Sequence, residues 1–238
     1  MNEYKQFSYF YDEVMSSLNY KLWLDFIKPY INKSTTLLDL ACGTGSFLML
    51  AFPEVKTCVG LDLSETAIEI AKEKSKINHF DIKYVVADMI NFKCDTKFDV
   101  ITCFFDSINF LNSLARIKDM FNSVYETLND KGYFIFDIFS HTLFKEYKRN
   151  HFKQNYENFK IDWKTRHEDK NTLVHKVKIK SLAKTYIETY YEYYYDLETL
   201  DFSQFNVIKK SGDFKRDLKD DDERILIVLQ KDTKKTAL

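Results

Sequence analysis

The 238-residue sequence predicts an α/β protein, a doubly wound, mostly parallel sheet with an inserted antiparallel β-meander. Three observations carry this reading. Between residues 35 and 138, five short apolar or β-branched runs alternate with stretches of helical periodicity. The first of these runs opens directly into a glycine turn, Cys42-Gly43-Thr44-Gly45-Ser46, and then into an apolar helix. Beyond Ser140 the pattern changes to Ile, Val, Thr and Tyr in rough two-residue alternation, the period of a strand with one buried face.

Taken in order, Val14, Leu18, Leu22, Phe26 and Ile27 lie at helical spacing and predict one leading helix over residues 13–31, ending near Pro29. Thr35–Ala41 reads as a strand, followed by the glycine turn and a short helix up to Pro53. Thr57–Leu61 is a second strand, and Ser64 caps a helix running to about Ile77, with Thr66 and Glu69 spaced as a capping box. Ile82–Val86 and Phe98–Phe105 are the third and fourth strands, the latter nearly continuous in apolar residues as a strand buried on both faces requires. Leu114, Ile117, Met120, Phe121, Val124 and Leu128 form one helical stripe, closed by Asn129-Asp130-Lys131-Gly132 before the strand Tyr133–Ile138. In residues 159–195 the turns fall at Lys170-Asn171 and Leu182-Ala183-Lys184, and Phe205–Lys209 with Arg224–Leu229 forms a closing antiparallel pair. The domains are thus expected at 1–140 with 197–238 for the parallel sheet, and 141–196 for the insertion.

Composition narrows the function. Lys plus Arg total 35 against 36 for Asp plus Glu, a balance that argues against coating nucleic acid by bulk charge. No run approaches the roughly 18 apolar residues of a membrane span, and Met1–Tyr11 lacks the pattern of a leader. The four cysteines show no Cys-x-x-Cys spacing, so free thiols in a reducing cytoplasm are expected, with neither disulfide nor metal. With only five glycines in the chain, each needs a reason, and Gly43 and Gly45 stand together after a buried strand.

Such a turn brings bare backbone and a helix N-terminus up to a ligand. Asp62 closes the second strand 19 positions after Gly43, the spacing at which a carboxylate takes the hydroxyls of a ribose. The dinucleotide fingerprint fails, however, because Leu48 occupies its third small position. Asp39 at the turn also repels a pyrophosphate and favours a ligand bearing an ammonium group. A nicotinamide cofactor is therefore a poor fit, and an adenosine joined to an amino acid is a good one.

The run Leu37–Ser46 resembles the first motif of the class I S-adenosylmethionine-dependent methyltransferases, with Ala41 in place of the commoner glycine. Val59–Ser64, Val86–Met89, Phe98–Ile101 and Leu128–Tyr133 are similar to the motifs that follow, so the resemblance spans about residues 35 to 140 and the closing strands. It implies a Rossmann-like fold and S-adenosyl-L-methionine as cofactor. By the same resemblance Asp39, Ala41, Gly43 and Gly45 hold the methionine part, Asp62 the ribose, Leu63 the adenine face, and Asp88 with Met89 the adenine edge. The opening Phe7–Asp12, with Tyr20 and Trp23, is similar to one small-molecule branch that carries an antiparallel insertion after the fifth strand. That likeness implies that Tyr11 closes over the cofactor and that Trp23 lies beside it.

Methyl transfer from a sulfonium is an in-line displacement, for which the protein aligns a nucleophile, excludes water and, where needed, takes a proton. Phe104 at the end of the fourth strand is the expected aromatic wall, ahead of Phe105 and Phe110. Asp106, Asp137 and His141 are the candidate bases, with Asp106, His141 and Tyr11 expected at the reaction centre. Phe110 stands where related amino-sugar N-methyltransferases carry His, and Phe104-Phe105-Asp106-Ser107 replaces the Asn-Pro-Pro-Tyr motif of enzymes acting on base amines and glutamine. Tyr186, Tyr190, Tyr191 and Tyr193–Tyr195 divide between two faces, one for a substrate mouth and one for the sheet or an oligomer contact. The resulting expectation is a cytoplasmic enzyme, monomer or homodimer, methylating a small-molecule nitrogen or oxygen, with no nucleic-acid or membrane partner. A non-catalytic S-adenosylmethionine sensor is the alternative.

Overall fold

A computed structural model describes residues 5–215 and 217–232. Its centre is a seven-stranded sheet built from β1 (Thr36–Leu40), β2 (Thr57–Asp62), β3 (Lys83–Val86), β4 (Phe98–Cys103), β5 (Leu128–Phe139), β10 (Phe205–Gly212) and β11 (Arg224–Lys231), in the order β10-β11-β5-β4-β1-β2-β3. The first five strands are mutually parallel, while β11 runs antiparallel to β5 and β10 antiparallel to β11. Strand order reverses between β1 and β4, so the crevice for a ligand opens at the carboxyl ends of these two strands.

Helices cover both faces, which is why the central strands are apolar throughout: Leu37, Leu38, Leu40, Val100 and Ile101 are fully buried. On one face α5 (Leu114–Thr127) sets Ile117, Met120, Phe121 and Val124 against the sheet. On the other lie α2 (Lys21–Ile27), α3 (Ser46–Ala51) and α4 (Glu65–Ile77). Serine caps begin the helices as their short side chains dictate: the Ala67 amide donates to Ser64 Oγ at 3.2 Å and the Arg116 amide to Ser113 Oγ at 3.3 Å. Thr66 and Glu69 fall inside α4 and form no box at its start.

The second sheet holds β6 (Arg149–Asn155), β7 (Phe159–His167), β8 (Thr172–Ser181) and β9 (Thr185–Tyr193) as an antiparallel meander in sequence order. The links from β7 to β8 and from β8 to β9 fall on the two turns the sequence predicts. β6 was not foreseen, because Phe152 is the one large apolar residue in it and there is no alternation to read.

The leading segment departs from expectation. It forms two helices, α1 (Ser8–Val14) and α2, instead of one over 13–31. Its apolar residues serve two surfaces: Phe7, Phe10, Tyr11, Val14 and Met15 pack on the antiparallel sheet, whereas Trp23, Leu24, Phe26 and Ile27 pack on the parallel one. No straight helix reaches both, and the chain bends over residues 15–20, where Asn19 Oδ1 accepts the Lys21 amide at 3.2 Å. β5 likewise starts at Leu128, opposite Phe98, and Asn129–Gly132 bulges before pairing resumes at Tyr133. The four cysteines are free, and among the described residues no helix is long and apolar enough to cross a membrane.

Candidate active site

A cavity of about 360 Å³, within the range of small-molecule sites, lies at the switch point between the two sheets. Its first wall is the turn after β1. Ala41, Gly43 and Gly45 all take left-handed φ, at +55°, +54° and +77°. The glycines have different reasons. A Cβ on Gly43 meets nothing within 4 Å, so bare backbone faces open space and Gly43 lines the cavity. A Cβ on Gly45 falls 2.6 Å from the Tyr84 hydroxyl, so this residue is small to let the turn pack on β3. Ala41 lines the cavity and holds a conformation that costs an L-residue about 1–2 kcal/mol, strain of the kind stored where a chain meets a ligand.

Asp62, at the end of β2, is fixed by two backbone donors. The Gly43 amide donates to Oδ2 at 2.8 Å and the Ser64 amide to Oδ1 at 2.8 Å. The two amides thus aim the carboxylate, a group with about four lone-pair sites, at the wall of the cavity that it lines. Leu63 and Met89 add apolar wall beside it.

α1 lies across this wall as a cover. Tyr11 lines the cavity, and burial, with Tyr20 and the carboxylates of Asp12, Asp106 and Asp62 adding to it, pushes its phenol far above the usual range. It is therefore a proton-bearing donor at any ordinary pH. The neighbouring Asp12 latches the helix down: Oδ1 accepts from Thr44 Oγ1 at 2.6 Å and Ser46 Oγ at 3.0 Å, while Lys74 Nζ donates to Oδ2 at 2.5 Å. α1 is thereby tied to both the glycine turn and α4.

The far wall comes from six separate segments. Phe105 and Asp106, both at φ +60°, follow β4, and Arg224 opens β11. Arg224 binds Asp106 through both carboxylate oxygens, at 2.5 and 3.0 Å, and reaches the fully buried Asp137 at 3.0 Å. Trp23 Nε1 donates to Asp137 at 2.6 Å, and the Arg224 guanidinium lies 5.3 Å from its ring centre. Burial raises the Asp106 carboxyl to about 6 against the pull of Arg224, with Asp137 and Glu192 adding to the rise. Tyr147 after α6 (His141–Glu146), Trp163 on β7, His175 on β8 and Glu192 on β9 complete this wall.

Of the residues singled out from the sequence, Tyr11, Tyr20, Ala41, Gly43, Asp62, Leu63, Met89, Phe105, Asp106 and Phe110 meet at the one cavity. Gly45, Trp23, Asp39, Asp88, Phe104, Asp137 and His141 lie off its wall. Asp39 is buried behind it, accepting from Thr102 Oγ1 at 2.6 Å, and burial lifts its carboxyl to about 8. Asp88 accepts the Ile90 amide at 3.0 Å and faces Arg116 at 3.8 Å, while Ala87 and Met89 on either side reach the cavity. Trp23 stands one layer back, on Asp137. Phe104 points into the core against Phe47, because the left-handed turn at Phe105 hands the wall position to the next residue. His141 is exposed at the start of α6 with its ring stacked on Tyr194, away from the cavity. None of the tyrosines of 186–195 lines the cavity; Glu192, lying among them, does. Arg224, Trp163, His175 and Glu192 were not foreseen. The available signals were an arginine heading an otherwise apolar strand, and Glu188 and Glu192 sharing a face with Tyr186 and Tyr190.

The bare Gly43 backbone, the oriented Asp62 acceptor pair and the apolar Leu63–Met89 wall fit the hydroxyls and base of an adenosine. Sheet order, insertion and cradle together define a class I S-adenosylmethionine-dependent methyltransferase fold. Comparison with known proteins gives the family directly: residues 31–195 match the methyltransferase domain family, and the chain belongs to it. A protein of Geobacillus sp. (strain WCH70), named as a candidate methyltransferase, is 30% identical over 156 residues, covering 63% of this chain and 61% of its own. The chain thus spans about three fifths of the length of that curated relative. The crystal structure of an S-adenosylmethionine-dependent methyltransferase from Clostridium acetobutylicum ATCC 824 superposes with a TM-score of 0.82 at 26% identity, covering 94% of this chain and 97% of that one. The S-adenosylmethionine-bound amino pentose methyltransferase CalS10 of Micromonospora echinaspora shares the fold, at TM-score 0.73, 17% identity, and coverage of 98% and 99%.

Proposed function

We propose that this protein transfers the methyl group of S-adenosylmethionine to a nitrogen or oxygen nucleophile of a small molecule. The observation that carries the reading is that one cavity is shared by the Gly43–Asp62 cradle and by side chains of the insertion, Trp163, His175 and Glu192. A sensor needs only the first half; a two-substrate enzyme needs both. When bound, the cofactor supplies an electrophilic methyl carbon on a sulfonium.

In this reading Asp62 takes the ribose hydroxyls, the backbone at Gly43 meets the methionine part, and Leu63 and Met89 face the base. Tyr11 and α1 close the cavity and exclude water, which favours in-line displacement. Phe105 lines the cavity just after β4, and aromatic rings favour a sulfonium. Asp106 has both oxygens engaged by Arg224, so its role is to hold that guanidinium in place, not to take the substrate proton. Residues 141–196 act as the substrate-capping subdomain. A cavity of about 360 Å³ and the balanced net charge both support a small molecule over a polynucleotide. The test is incubation with labelled S-adenosylmethionine and a panel of amines, alcohols and carboxylates. Label transfer with stoichiometric S-adenosylhomocysteine supports the enzyme; cofactor binding with no transfer to any acceptor supports the sensor.

A further inference from the structure

Two buried features of the insertion have no part in holding the cofactor: the His175–Glu192 pair and the charge balance around it. Trp163 Nε1 lies 3.1 Å from His175 Nδ1, with Thr165 Oγ1 at 3.0 Å from the same nitrogen. An indole N–H only donates, so Nδ1 is the bare nitrogen and the ring proton sits on Nε2. That proton is donated to Glu192 Oε2 at 3.2 Å. Register explains the arrangement: His175 pairs with Thr165 on β7 and Tyr190 on β9, which sets Trp163 and Glu192 two residues along on the same face. His175 is thus a neutral clamp that orients a carboxylate from behind.

Glu192 itself lacks a counter-charge. Among the described residues Arg224 is the one Lys or Arg lining the cavity, and both Asp106 and Asp137 already share it. Glu192 is only 14% exposed in its side chain, and no second hydrogen bond is recorded to it among these residues. A carboxylate so buried is costly unless a cation completes it. Trp163, Tyr147, Tyr11 and Phe110 line the same cavity, and aromatic rings also favour a cation.

We infer that Glu192, oriented by His175, is the receptor for an ammonium group, and that the methyl acceptor is an aliphatic amine. The inference rests on the methyltransferase reading above and names its substrate class. The amine enters protonated and docks on Glu192, which takes one proton and frees the nitrogen lone pair. The nitrogen–carbon bond then forms as the carbon–sulfur bond breaks, with its electron pair staying on sulfur. The product leaves as the methylated ammonium ion, and the proton on Glu192 passes to water. Glu192 is the group that touches substrate, and His175 positions it.

The test is calorimetry on the full chain saturated with S-adenosylhomocysteine, using 2-phenylethylammonium, its isosteric alcohol 2-phenylethanol, and 3-phenylpropionate. The ammonium probe is expected to bind about tenfold or more tighter than the alcohol, and the carboxylate weakest. Glu192→Gln removes that preference while S-adenosylhomocysteine affinity stays within about twofold, which also shows that the variant is folded, and Glu192→Asp retains part of it. Equal binding of ammonium and alcohol by the wild type, or binding of none of the three, overturns the inference; so does a preference that survives in Glu192→Gln. Loss in that variant of S-adenosylmethionine affinity alone, with S-adenosylhomocysteine unaffected, assigns Glu192 to the sulfonium and also overturns it. Should Glu192→Gln not fold, the wild-type ranking still decides. Failure of the underlying reading is seen separately, as absence of S-adenosylhomocysteine binding before any amine is added.

Discussion

Replacing Asp62 by Ala separates a ligand-binding carboxylate from one that only shapes a turn. In the structure its two oxygens accept from the Gly43 and Ser64 amides, at 2.8 Å each, and the residue lines the cavity. If two ribose hydroxyls donate there, their loss costs about 1.5–3 kcal/mol of binding, the scale of hydrogen bonds to a charged group. That corresponds to a dissociation constant raised about 10- to 150-fold. The orphaned amides cost folding stability separately, about 1–2 kcal/mol, and so lower the melting temperature by several degrees, since each kcal/mol is worth about 2–4 °C at this size. Calorimetric titration with S-adenosylhomocysteine reads the first effect and a thermal melt without ligand the second. A melting temperature that drops while the dissociation constant stays within about twofold of wild type refutes the binding role and leaves Asp62 as a turn residue.

Three further predictions use other parts of the site. Asp12→Ala removes the latch of α1 onto Thr44, Ser46 and Lys74; Asp12 is 40% exposed in its side chain, so about 1 kcal/mol is expected, seen as release of bound S-adenosylhomocysteine roughly fivefold faster in stopped-flow displacement, and an unchanged rate removes α1 as the cover. Asp39 has its carboxyl raised to about 8 by burial, so between about pH 4 and 8 the unfolded chain ionises while the folded one keeps the proton, and stability falls as pH rises through that window. Asp39→Asn, which still accepts from Thr102, abolishes that slope and gains on wild type in urea melts from pH 5 to pH 8; parallel profiles contradict a protonated Asp39. Arg224→Met strands the Asp106 and Asp137 carboxylates, the second fully buried, and costs about 3–5 kcal/mol in urea denaturation at neutral pH, less at pH 5 where protonation relieves Asp106; a loss under 1 kcal/mol argues against the network.

The parts of the site that could be read from the chain are those whose residues lie close together in it. Strand, glycine turn and helix around Gly43, and the acidic end of the next strand at Asp62, follow from alternation and from the scarcity of glycine. Beyond Asp106, the far wall was hidden because Tyr147, Trp163, His175, Glu192 and Arg224 come from five segments whose meeting depends on how the meander lies over the sheet. Single-residue offsets were equally invisible: the left-handed turn at Phe105 exchanges the roles of Phe104 and Phe105, and no propensity marks it. His141 had the right chemistry for a base, but Ser140 caps α6 and turns the ring onto Tyr194. The split of the leading helix was also beyond periodicity, since it depends on two apolar surfaces that exist only after folding.

The most direct test of the account is titration of the purified protein with S-adenosylmethionine and S-adenosylhomocysteine, with NAD as the control ligand. One site per chain, micromolar binding of the first two and no heat from NAD are expected. Binding of NAD, or of none of the three by a folded sample, contradicts it.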